Sequence, residues 1–90
     1  MKMTISPDQI VLSGMYALDS IKGFSGQLSK EKELANIVDV SALVGAGAPL
    51  FALLVQAVKK SKRLEVVGAS DELVDMAKLY GVDQVLTFRT

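Results

Sequence analysis

The stretch Asn36–Lys62, NIVDVSALVGAGAPLFALLVQAVKKSK, decides how this chain can fold. Asn36 to Val40 reads as a buried strand and Ser41 to Ala48 as a loop rich in Gly and Ala. From Pro49 the pattern turns helical and runs into Lys59, Lys60, Lys62 and Arg63. Pro suits a first helical position, where its missing N–H would have no intrahelical partner. The closing cations suit the negative end of the helix dipole. At about 100° per residue, Leu53, Ala57, Leu50, Leu54, Val58, Phe51 and Val55 spread over an arc of roughly 200°. An amphipathic surface helix needs only about 100° of apolar face. Gln56, Lys59 and Lys60 are the narrow polar remainder. The apolar surplus has two readings. Either the helix packs on a sheet and also on a neighbouring helix, or its Phe51 and Val55 side is a surface for a partner.

Upstream of the loop, Leu34–Val40 (LANIVDV) is β-branched and apolar on both faces, which suits a central strand covered on two sides, or at least a parallel one. Downstream, Arg63–Val67 (RLEVV) is the next strand. Strand, loop, helix and strand make a βαβ crossover, and such crossovers are right-handed. Gly68-Ala69 turns the chain, and Ser70 is placed to cap a helix with Asp71 and Glu72 in its favourable first turn. That helix, Asp71–Tyr80, gathers Leu73, Val74, Met76, Ala77 and Tyr80 on one side. Gly81 fits a left-handed terminating position. Val85–Phe88 closes as a short strand. Towards the N-terminus, Lys2–Ser6 and Gln9–Ser13 alternate around Pro7-Asp8 and predict an antiparallel hairpin. Asp19 or Ser20 is placed to cap a helix bearing Ile21, Phe24 and Leu28 on one face, which Gly23 and Gly26 weaken by about 1 kcal/mol each. Ser29 to Glu33 is a solvated connection.

Composition excludes several function classes. Ninety residues form one small domain, 1–90. Ten basic and ten acidic side chains cancel, so no field favours nucleic acid or an anionic membrane surface. The absence of Cys removes disulfides and thiolate chemistry, and the absence of His removes the commonest general base and metal ligand. No apolar run reaches the roughly 18 residues of a membrane span, and MKMTISPDQ lacks the apolar centre of a signal peptide. A cytoplasmic, non-enzymatic domain without cofactor, metal or membrane insertion is expected.

Three sets of residues bear on chemistry. Gly45-Ala46-Gly47 at a strand-to-helix junction has the look of a phosphate loop, but lacks the GxGxxG spacing and the GK[ST] ending, and Pro49 removes one N–H. Nucleotide binding is not expected. Asp39 stands near the end of a parallel strand with Ser41 two residues on, yet has no His and no second carboxylate beside it. Hydrogen bonding to the loop backbone is the better role for both. Tyr16, Tyr80 and the Phe residues are scattered through different elements, as core packing requires.

The run DVSALVGAGAPLFALL, Asp39 to Leu54, resembles the signature of the STAS domain family, the anti-sigma-factor antagonists (anti-anti-sigma factors) and their relatives. The resemblance continues in order through LSG at Leu12–Gly14, LEVVGAS at Leu64–Ser70 and MAKLYGVDQVLTF at Met76–Phe88. It implies a single α/β domain of the STAS type, with a mixed, mostly parallel sheet of four to five strands, an extra N-terminal strand, and about three helices as cover. It further implies a bacterial signalling role through protein–protein interaction, in which the loop and the start of the next helix dock on an anti-sigma or kinase-like regulator. In the family a loop Ser is phosphorylated and the added charge releases the partner. Here Gly47 stands at the motif's Asp, Ala48 at the phosphorylated Ser and Pro49 at the next Ser, so that switch has no hydroxyl to act on. The expected partner-binding residues are Gly45, Ala46, Gly47, Ala48, Pro49, Phe51 and Val55. Two alternatives stand beside this. One is a small STAS subunit on the ATPase of a bacterial lipid-transport ABC system, suggested by MAKLY, although the Asp and Thr of that loop are absent. The other is a homodimer formed by the apolar loop and helix.

Overall fold

The N-terminal residues close a hairpin: β1 (Lys2–Ile5) lies antiparallel to β2 (Ile10–Met15), from the pair Lys2↔Ser13 to the pair Ile5↔Ile10. Ser6 ties the turn from both sides, its N–H and its hydroxyl donating to the Gln9 carbonyl at 3.0 and 2.8 Å around the expected Pro7-Asp8 corner. The computed structural model describes residues 1–89. After β2 come α1 (Leu18–Lys30), β3 (Ile37–Val44), α2 (Ala48–Ser61), β4 (Glu65–Val67), α3 (Asp71–Leu79) and β5 (Thr87–Arg89). The five strands form one mixed sheet in the order β1-β2-β3-β4-β5, parallel from β2 onward. The chain is an α/β domain with three helices. Among the described residues no helix is long and apolar enough to cross a membrane.

A strand order that never reverses has a consequence for the layers. Each right-handed crossover then returns on the same side of the sheet, so all three helices cover one face. Ile10, Leu12, Val38, Val40 and Val66 point into that layer and are buried with Leu28, Leu50, Leu54 and Ala77 from the helices. The other face carries Thr4, Val11, Asp39, Val67 and Arg89 in one row across the sheet, all half-exposed or exposed. Of the two readings of Leu34–Val40, the parallel strand holds and the cover on two sides is corrected: only the Val38 and Val40 side of β3 is roofed, and Ile37 and Asp39 lie on the open face.

The second correction concerns where β3 ends. It continues past Val40 to Val44, and the loop shrinks to Gly45–Gly47. Between Val11↔Asp39 and Ser13↔Ala42, β2 advances two residues while β3 advances three. The extra residue is a bulge, which reverses the in–out alternation beyond it. Leu43 consequently packs on the core, while Val44 faces outward and is 62% exposed. A strict two-residue period read from Val38 would have sent Val44 inward.

The helices start and stop for local reasons. α3 begins as expected, with the Ser70 hydroxyl accepting from the Leu73 N–H at 3.2 Å, and ends on Gly81 at φ +73°. There the N–H groups of Gly81 and Val82 bond the carbonyls of Lys78 and Ala77, closing the helix end. α1 is not capped by Asp19 or Ser20: it starts at Leu18 behind Ala17, which offers no side-chain oxygen. Both glycines of α1 face open space, with nothing within 4 Å of where a Cβ would stand. Gly23→Ala and Gly26→Ala are each expected to stabilise the fold by about 1 kcal/mol, read as a rise in the urea midpoint with an unchanged slope.

α2 is gripped from α1 by its polar side chains. The Ser25 hydroxyl donates to Gln56 Oε1 at 2.6 Å, and Gln56 Nε2 donates to the Ser25 carbonyl at 2.9 Å. Lys60 Nζ donates to the carbonyls of Leu28 at 2.7 Å, Ser29 at 2.8 Å and Glu31, closing the C-terminus of α1. α2 thus packs both on the sheet and on its neighbour. Gln56 and Lys60, two of the three residues of the polar remainder, face α1. The stripe left to solvent is Ala48, Ala52, Val55 and Lys59, apolar over all but its last position.

Candidate partner-docking surface

The site expected from the sequence is the β3–α2 junction, and three glycines shape it. Gly45 has φ +85°, a conformation that costs any other residue strain. Gly47 has an extended backbone (φ −164°) that any residue could adopt, but the space for a side chain is taken. A Cβ there would lie 2.9–3.0 Å from the hydroxyl and ring carbons of Tyr16. Tyr16 closes over the loop from β2 and donates its backbone N–H to the Val44 carbonyl at 2.7 Å. Nothing in the sequence pairs Tyr16 with this loop except the Gly-x-Gly spacing itself. Any side chain at Gly47 would have to displace that ring.

Gly68, the third glycine, supports the junction from β4. At φ +78° it lies against the bulge, where an added Cβ would stand 2.5 Å from the Ser41 Cβ and 2.8 Å from its Cα. The bulge is held by Asp39, whose Oδ1 accepts the Ser41 N–H at 2.9 Å and the Ser41 hydroxyl at 2.6 Å. Asp39 thus bonds backbone as expected, although within β3 and not in a loop, whereas the Ser41 hydroxyl bonds the Asp39 carboxylate and, among the described residues, no backbone group. The Ser41 hydroxyl, and after it the Ser41 N–H, hold the Asp39 carboxyl below its usual pKa. A carboxyl whose pKa is lowered by folding adds stability above its unfolded pKa and loses it as pH falls through the lowered value. Asp39→Asn is accordingly expected to flatten the decline in stability below about pH 4, measured as urea midpoint against pH.

The expected partner-binding residues divide by exposure. Gly45 and Ala48 are exposed, Ala46, Gly47, Pro49 and Val55 are half-buried, and Phe51 is only 2% exposed. Phe51 is corrected from a surface anchor to a core residue, because it turns toward α3 and meets the Tyr80 ring at 5.6 Å between centroids, tilted 52°. Tyr80 in turn is not fully inside: it stands at the rim, 47% exposed. Beside them lies an open groove of about 480 Å³, lined by Ala48, Phe51, Ala52, Val55, Gln56 and Lys59 of α2 and by Tyr80 and Val82 beyond it.

A second apolar group has no counterpart in the sequence pattern. Met15 is 73% exposed and pairs with Val44 across β2 and β3, next to the Gly45 turn. Leu18, at the start of α1, is exposed as well. The bulge turns Val44 outward, so a signal for this group would have required knowing the register. The junction itself contains no titratable side chain from Gly45 to Pro49. Its chemistry is that of contact: small residues, apolar side chains and one cation at the end of a stripe. No protein-family model and no curated protein matches the chain.

Proposed function

We propose that this chain is a non-enzymatic protein-interaction domain of the STAS type, docking a partner through the Gly45–Pro49 loop and the exposed stripe of α2, without a phosphoswitch. The observation that carries this reading is the stripe Ala48, Ala52, Val55: two exposed alanines and a half-buried Val while the polar Gln56 and Lys60 of the same helix are spent on α1. A monomer gains nothing from that arrangement, and contiguous exposed apolar surface is what interaction sites present. The mixed five-stranded sheet, with its extra N-terminal strand and three helices, is compatible with the STAS reading. An anti-sigma or kinase-like regulator is the partner class this reading favours. Ala48 opens α2 and has no hydroxyl, so binding is constitutive.

A pull-down from native lysate, run with the wild-type chain and with Ala48→Asp, tests it. The carboxylate puts charge where the family places phosphate, at an exposed helical position that tolerates Asp in its first turn. Loss of the partner from Ala48→Asp, with circular dichroism unchanged, is the expected result. A partner held equally by both chains removes the loop from the docking surface.

A further inference from the structure

The positions Ala48, Ala52, Val55 and Lys59 follow one another at i, i+4, i+7 and i+11, the spacing of a single straight ridge on a helix. The ridge spans about 16 Å, some three helical turns. Its first two members are Ala, which let another backbone approach closely, and Tyr80 and Val82 form the facing wall. Among the residues lining the groove the only charged one is Lys59, at the end remote from the loop. Lys60 adds nothing to it, being held by the carbonyls of α1.

Length, shape and charge together select an occupant. We infer that the groove between α2 and α3 receives an amphipathic helix of the partner, about three turns long, whose apolar stripe is followed at one end by an acidic side chain that meets Lys59. An extended strand would find no unpaired backbone edge here, since both walls are helical or capped. The inference rests on the proposed docking role and names the part of the partner that enters.

The test is a displayed library of helical peptides with a fixed apolar stripe and randomised flanking positions, selected on the immobilised full chain. Enrichment of Asp or Glu at the stripe's end is expected, with binding lost from Ala52→Arg, an exposed helical position, and weakened about tenfold by Lys59→Glu. A recovered peptide with its acid changed to Lys is expected to prefer the Lys59→Glu chain. No enriched helix, enrichment without acidic preference, or binders indifferent to Ala52→Arg would each overturn the inference. A sedimentation mass of two chains that falls to one in Ala52→Arg would make a second copy the occupant and overturn it too. A native partner lost from Ala48→Asp but kept by Ala52→Arg leaves the docking role standing and removes the helical occupant. A native partner kept by all three variants removes both.

Discussion

Gly68→Ala is expected to lower stability by about 3 kcal/mol or more, the largest loss from a single added methyl group in this chain. Two costs combine. The residue sits at φ +78°, and the new Cβ would fall 2.5 Å from the Ser41 Cβ, 2.8 Å from its Cα and 3.0 Å from its N. Two of those three atoms are backbone, in a bulge that the Asp39 carboxylate holds, so the clash cannot be relieved by a rotamer change. Gly81→Ala separates the terms. Gly81 has φ +73° but nothing within 4 Å of a Cβ, so it should lose only the strain of the left-handed conformation, about 1 kcal/mol. Urea midpoints of the two variants measure the difference. Equal losses would mean that the close approach of β4 to the bulge carries no energy. Ser41→Gly in the Gly68→Ala background should recover only part of the loss, because the backbone of the bulge still stands in the way of the new methyl group.

The second large effect is expected at Lys60. Lys60→Met keeps most of the aliphatic stem but takes the ammonium from the carbonyls of Leu28, Ser29 and Glu31. Those groups close the end of α1, where the Leu28 carbonyl also accepts the Glu31 N–H at 3.2 Å and those of Ser29 and Glu31 face solvent. Hydrogen bonds from a charged donor are worth more than neutral ones, and three carbonyls lose that donor at once, so a loss of about 1–2 kcal/mol is expected. Lys59→Met, one residue away on the exposed stripe, should change the urea midpoint little. Hydrogen exchange gives the local readout: faster exchange in the last turn of α1 with Lys60→Met and none with Lys59→Met. Comparable losses from both would reduce Lys60 to a surface charge.

These two positions also mark where the sequence stops being informative. On the helical wheel Lys60 groups with Gln56 and Lys59 as the polar remainder, with nothing to tell one from another. The partners of Gln56 and Lys60 are Ser25 and the end of α1, about thirty positions earlier, and no periodicity within α2 reports a contact at that separation. Gly68 reads as a turn residue. That it is also the only residue that fits against Ser41 depends on the bulge, which is a mismatch between two strands and not a property of either one.

What the sequence determined by itself was the element content: hairpin, helix, βαβ crossover, a Ser-capped helix ended by Gly, and a last strand. Its boundaries were good where a local device sets them, as at Ser70 and Gly81, where the capping oxygen and the left-handed glycine are residues of the chain segment itself. Boundaries slipped where pairing sets them: β3 runs four residues longer than Val40 because Ser13 to Met15 were there to pair with Ala42 to Val44. The tertiary structure alone decided which apolar residues are left over. An unreversed strand order put every helix on one face, the bulge turned Val44 outward, Phe51 was taken into contact with Tyr80, and Ala48 and Ala52 were left in solvent beside a half-buried Val55. Hydrophobicity is a property of each side chain, but exposure belongs to the packing of all the elements together, and a docking surface is made of both.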